Sequence, residues 1–88
     1  MERVAAELFT DGGNDAVVRL PGRRFPGVLI QGDTLSTIRS DVAELADLCA
    51  TGDLAEARET AALLLDELDA RLQRYTEALA AHGIPRPF

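Results

Sequence analysis

The chain has no lysine and no tryptophan, and only one cysteine, one histidine, one tyrosine and three phenylalanines in 88 residues. A single cysteine cannot close an internal disulfide, and with one histidine it cannot furnish the four ligands of a structural zinc site. No metal and no cofactor are expected. Apolar runs only a few residues long are too short to span a bilayer. The start, MERVAAELF, carries charges where a signal peptide needs an apolar stretch. The expectation is a soluble, cytoplasmic protein with no membrane role, and 88 residues allow one small domain.

What is there is acidic. Fifteen acids face nine arginines, a formal charge of −6, and 47% of the residues are apolar, enough for a packed core. Charge is unevenly placed: residues 1–32 hold four bases and four acids, residues 33–88 five bases and eleven acids. Nucleic acid is a poor partner for such a chain, because counterion release needs several phosphate contacts and long-range repulsion opposes them.

Residues 3–9 alternate as a strand with Val4, Ala6 and Leu8 on one face. The turn cluster DGGND at 11–15 leads to a second strand at 16–20, and GVLIQ at 27–31 gives a third. From Asp33 the period changes. Leu35, Ile38, Val42, Leu45 and Cys49 share one helical stripe, with Asp33 or Thr34 as cap and Gly52 as stop. Asp53 caps a second helix from about Leu54 to His82, ended by Gly83, Pro85 and Pro87. Its stripe is Ala57, Ala61, Leu64, Leu65, Leu68, Leu72, Tyr75 and Leu79. The predicted fold is α+β: a three-stranded antiparallel β-meander (1–32) packed on a two-helix hairpin (33–83), with a tail at 84–88, in the order β-β-β-α-α.

A first helix of about 17 residues spans roughly 25 Å, and a second of about 29 overshoots it by roughly 18 Å. Leu72, Tyr75 and Leu79 lie in that overshoot, so either the chain's own sheet or a second subunit must cover them. Leu63, Ala62, Ala78 and Ala81 add apolar character off the main stripe. A wide apolar helix face calls for burial. The expected partner is therefore a second copy or another protein, meeting Leu64, Leu68, Leu72, Tyr75 and Leu79. The competing expectation is that singly exposed Leu and Ala residues are ordinary.

The most unusual stretch is Pro21-Gly22-Arg23-Arg24-Phe25-Pro26-Gly27, in which two Pro-Gly pairs bracket Arg-Arg-Phe. Two guanidinium groups beside a ring can take a carboxylate or phosphate bidentately. Equally, Arg23 and Arg24 can pair with the domain's own acids. Gln31-Gly32-Asp33-Thr34 leads from strand to helix, where Asp33 would itself occupy the first amides. Gln31 and Asp33 could border a pocket with the Arg loop. Catalysis finds no constellation: Ser36, Thr37 and Ser40 have no His near them in sequence, His82 closes a helix, and Cys49 falls on a stripe expected to be buried.

At VRLPGRRFPGVLIQGDTLSTI, residues 18–38, the chain resembles a family of small bacterial proteins, common in actinobacteria, known only as a domain of unknown function. The likeness extends through the helices to the ending HGIPRPF. Its specific part is Arg19, Pro21-Gly22-Arg23, Phe25-Pro26-Gly27 and Gln31-Gly32-Asp33. The resemblance brings no activity with it.

The expected function is a non-catalytic interaction module or accessory subunit, of the immunity or antitoxin-like kind. It would assemble through its second helix and present the Arg loop to an acidic partner or anion. The alternative is a small-ligand or anion-binding protein. The candidate binding residues are Arg19, Arg23, Arg24, Phe25, Gln31 and Asp33.

Overall fold

Three short strands and then two long helices make up the computed structural model, which describes residues 1–88. They are β1 (Glu7–Leu8), β2 (Val17–Arg19), β3 (Gly27–Val28), α1 (Gly32–Thr51) and α2 (Leu54–Ala81). The sheet is antiparallel in the order β1-β2-β3. The fold is the expected α+β, β-β-β-α-α. Its packing divides into two units, residues 1–31 with 72–88, and residues 32–71, so that α2 contributes to both.

In the first unit the sheet lies on the last part of α2. Val17, Tyr75, Ala78 and Leu79 are buried together, with Phe9, Val28 and Ile84 packed against them. This covers most of the predicted overshoot from within the chain: Tyr75 and Leu79 face their own sheet. The strands are shorter than the alternation implied, and β1 presents the other face. Val4 and Leu8 are exposed while Phe9 turns inward. Leu8 pairs with Val18 and Glu7 with Arg19, so the inward positions continue to Phe9, whose N–H donates to the Val17 carbonyl (2.9 Å). The Phe9 ring meets His82 edge-on at 4.8 Å, which gives the larger side chain the buried place.

The β1–β2 loop is tied to α2 through Asp11. Its Oδ1 accepts from the Gly13 N–H (3.2 Å) and from Nη2 of Arg74 (3.0 Å). At the other end of the unit α2 stops in a Schellman motif. Gly83 has φ +68°, its N–H donates to the Ala80 carbonyl, and Ile84 N–H donates to the Leu79 carbonyl. Ile84 is thereby laid on the core and belongs to it rather than to a tail.

In the second unit α1 begins at Gly32, one residue before the expected caps. Asp33 sits in its first turn, where Oδ1 accepts from the Thr34 N–H (2.8 Å). The link to α2 is a second Schellman motif, with Asp53 N–H to the Leu48 carbonyl and Gly52 N–H to the Cys49 carbonyl. Asp53 then caps α2, its Oδ1 accepting from the Glu56 N–H (3.2 Å). On α1 the predicted stripe splits. Ile38 and Leu45 are half-buried, while Leu35, Val42 and Cys49 are exposed. The split follows from geometry: five positions spaced three and four apart cover a wider arc than one neighbouring helix can cover. No residue of α1 is fully buried.

Candidate interaction surfaces

The Arg loop begins as a turn over Leu20-Pro21-Gly22-Arg23. The Arg23 N–H donates to the Leu20 carbonyl (3.2 Å), and Gly22 has φ +79°. Proline at the second position and a residue of positive φ at the third are what a type II turn requires.

Two carbonyls then fix the loop from inside. Arg19 Nη1 donates to the Arg24 carbonyl (3.2 Å), and the buried Tyr75 hydroxyl donates to the Pro26 carbonyl (2.7 Å). Arg19 is engaged on every side. Nε and Nη2 donate to the two carboxylate oxygens of Glu7 (2.8 and 2.9 Å), and the guanidinium lies 5.4 Å from the Phe9 ring centre. The hydrogen bonds from Arg19 pull the Glu7 carboxyl below its ordinary pKa. Arg19 therefore holds the loop in place, with an N–H of each of its three nitrogens donated within the chain.

Arg23 and Arg24 are different. Both are exposed, and neither pairs with an acid of the chain. Arg24 lies over the Phe25 ring at 5.2 Å. Beside the loop is an open hollow of about 410 Å³ lined by Val18, Leu20, Arg23, Phe25, Val28 and Leu29, among others. Gln31 and Asp33 do not line it. The expected grouping of Arg23, Arg24, Gln31 and Asp33 around one pocket is therefore not formed there.

The hairpin unit has two unlike sides. One is an open hollow of about 560 Å³ that gathers Asp41 and Glu44 of α1 with Glu56, Glu59, Asp66 and Glu67 of α2 around Leu63. At 100° per residue, these positions all turn one way from the seam marked by Ile38, Leu45, Ala57 and Leu64. Leu35, Val42 and Cys49 on α1 turn the other way, as do Leu54, Leu65 and Leu68 on α2. They make the second side, which is apolar. Leu54 is 69% exposed, Leu65 58%, Leu35 56% and Val42 51%.

Of the residues expected at an interface, Leu64, Tyr75 and Leu79 are buried within the chain, and only Leu68 and Leu72 are half-exposed. The exposed positions Leu35, Val42, Leu54 and Leu65 lie outside the interface expected from sequence. Their signal is the breadth of the apolar arc on each helix.

No three of the His, Cys, Asp and Glu side chains converge to hold a metal ion. The ring Nδ1 of His82 is hydrogen-bonded to the Ala78 carbonyl (2.9 Å), and Cys49 lies exposed on the apolar side. No helix is long and apolar enough to cross a membrane.

The model of a family of unknown function (DUF6959) matches residues 1–88, the whole chain. The chain belongs to that family. No curated protein and no solved structure matches it.

Proposed function

We propose that this member of the family is a non-catalytic interaction module. It assembles through the apolar side of its hairpin and presents Arg23 and Arg24 on a pinned loop to an acidic partner. One observation carries this reading: α1 brings Leu35, Ile38, Val42, Leu45 and Leu48 to the fold, yet has no buried residue. Such apolar content with only part of its arc covered supports a partner there. The Arg loop supports the second half. Its backbone is held by Arg19 and Tyr75, while its two outermost guanidinium groups have no acid of their own. A loop whose backbone is already held has less entropy to lose on meeting a carboxylate.

The hollow beside Arg23 favours a second reading, a ligand with an apolar body and an anionic head. Only Arg23 among the expected polar residues lines it.

Replacing Arg23 and Arg24 together by Ala tests the display role. Urea midpoints and far-UV circular dichroism should stay within error of the unmodified chain, because surface changes of this kind stay within about 0.5 kcal/mol. Loss of folding would make both arginines structural and remove the acidic-partner half of the proposal.

A further inference from the structure

Resting on that assembly reading, we infer that the apolar side of the hairpin is covered by a second copy of this chain, with α2 antiparallel to α2 of the other copy. Two hairpins back to back give a four-helix arrangement, the ordinary way such faces are closed.

The sorting of charge makes a copy acceptable there. Six of the ten acids in residues 32–71 line the opposite hollow. The apolar side is bordered by Arg39, Arg58 and Asp69, so two chains of charge −6 can meet on it without facing like charges. Apart from Leu68, the pattern also reads the same in both directions. Leu54, Ala61, Leu65 and Leu72 are symmetric about residue 63, so a two-fold axis there sets Leu54 against Leu72 and Ala61 against Leu65. An isologous interface needs this self-complementarity.

The borders follow that symmetry to within one residue. Arg58 and Asp69 are eleven residues, or three turns, apart on one edge of the stripe. Neither has a partner in its own chain. About that axis Arg58 of one copy is level with Leu68 of the other and one residue, about 1.5 Å of rise, from Asp69, within reach of the long arginine side chain, twice.

Sedimentation equilibrium of the full chain, from micromolar to millimolar concentration, tests this. The expected mass is twice 9.5 kDa. Leu65→Glu should raise the dissociation constant about a hundredfold or more, since a buried anchor at the centre of an interface is lost from both copies. Leu63→Glu, on the acidic side, should leave it unchanged. Arg58→Asp and Asp69→Arg should each weaken association about fivefold, and the two together should restore it. Circular dichroism confirms that each variant folds.

Doubled mass that survives Leu65→Glu, or is lost with Leu63→Glu, overturns the proposal by placing the contact elsewhere. A single chain at every concentration overturns it too. In that case the dye 1-anilinonaphthalene-8-sulfonate separates two failures. Dye binding abolished by Leu65→Glu leaves the apolar side open for another protein, and the assembly reading stands without the second copy. No dye binding removes both.

Discussion

Tyr75 links two parts of the first unit. Its ring is buried with Val17 and Leu79, while its hydroxyl donates to the Pro26 carbonyl and so sets the height of the Arg loop over the helix. Tyr75→Phe keeps the ring and leaves that carbonyl without its donor. The expected loss is about 1 kcal/mol, the usual net worth of such a bond, read as a lower urea midpoint with an unchanged slope. An unchanged midpoint would mean that the loop is held by Arg19 alone. The stripe position of Tyr75 is legible in the sequence because it follows helical spacing. Its acceptor is not, because a carbonyl 49 residues away leaves no periodic trace. The hold of Arg19 on the loop is hidden for a related reason. Sequence shows a third arginine next to an arginine pair, whereas pairing Glu7 with Arg19 needs the β1–β2 register.

At the scale of elements, the turns are read most directly from residue type. Gly52 and Gly83 stand where each helix must leave right-handed backbone, at φ +78° and +68°, and both helices end there in the same hydrogen-bonding pattern. Asp53 follows at once and caps α2. Asp53→Ala should cost about 1 kcal/mol of stability, as loss of an N-cap side chain usually does. Thermal or urea unfolding measures it, and Asp53→Asn should recover most of the loss. Equal destabilisation by Asn and Ala would show that the cap is not what the aspartate supplies. The strands are less legible. Alternation over residues 3–9 predicts a longer strand with Val4, Ala6 and Leu8 on one face, but pairing extends only as far as the three residues of β2 and follows Phe9. The stripe on α1 is correct as a helix signal. It is silent on how much of the arc one neighbour covers, and therefore on which side of Cys49 water lies.

For the whole molecule, the distribution of charge matters more than its sum. A net −6 reads as a generally acidic surface, yet six of the ten carboxylates in residues 32–71 gather on one side and leave the other largely apolar. Periodicity reveals both helices and the excess of apolar residues. Only placement of the side chains shows that the excess lies on Leu35, Val42, Leu54 and Leu65 rather than on Leu64, Tyr75 and Leu79. The lone cysteine reports on that side. Cys49 is exposed in the single chain and is its only thiol, so its reaction with a disulfide reagent reads coverage of the apolar side without any added label. The rate is to be followed from dilute to concentrated protein, in the unmodified chain and in Leu65→Glu. If the side is covered by assembly, the unmodified chain slows at least severalfold as concentration rises, while the variant stays fast throughout. A rate that is the same at every concentration, and the same in both proteins, would contradict it.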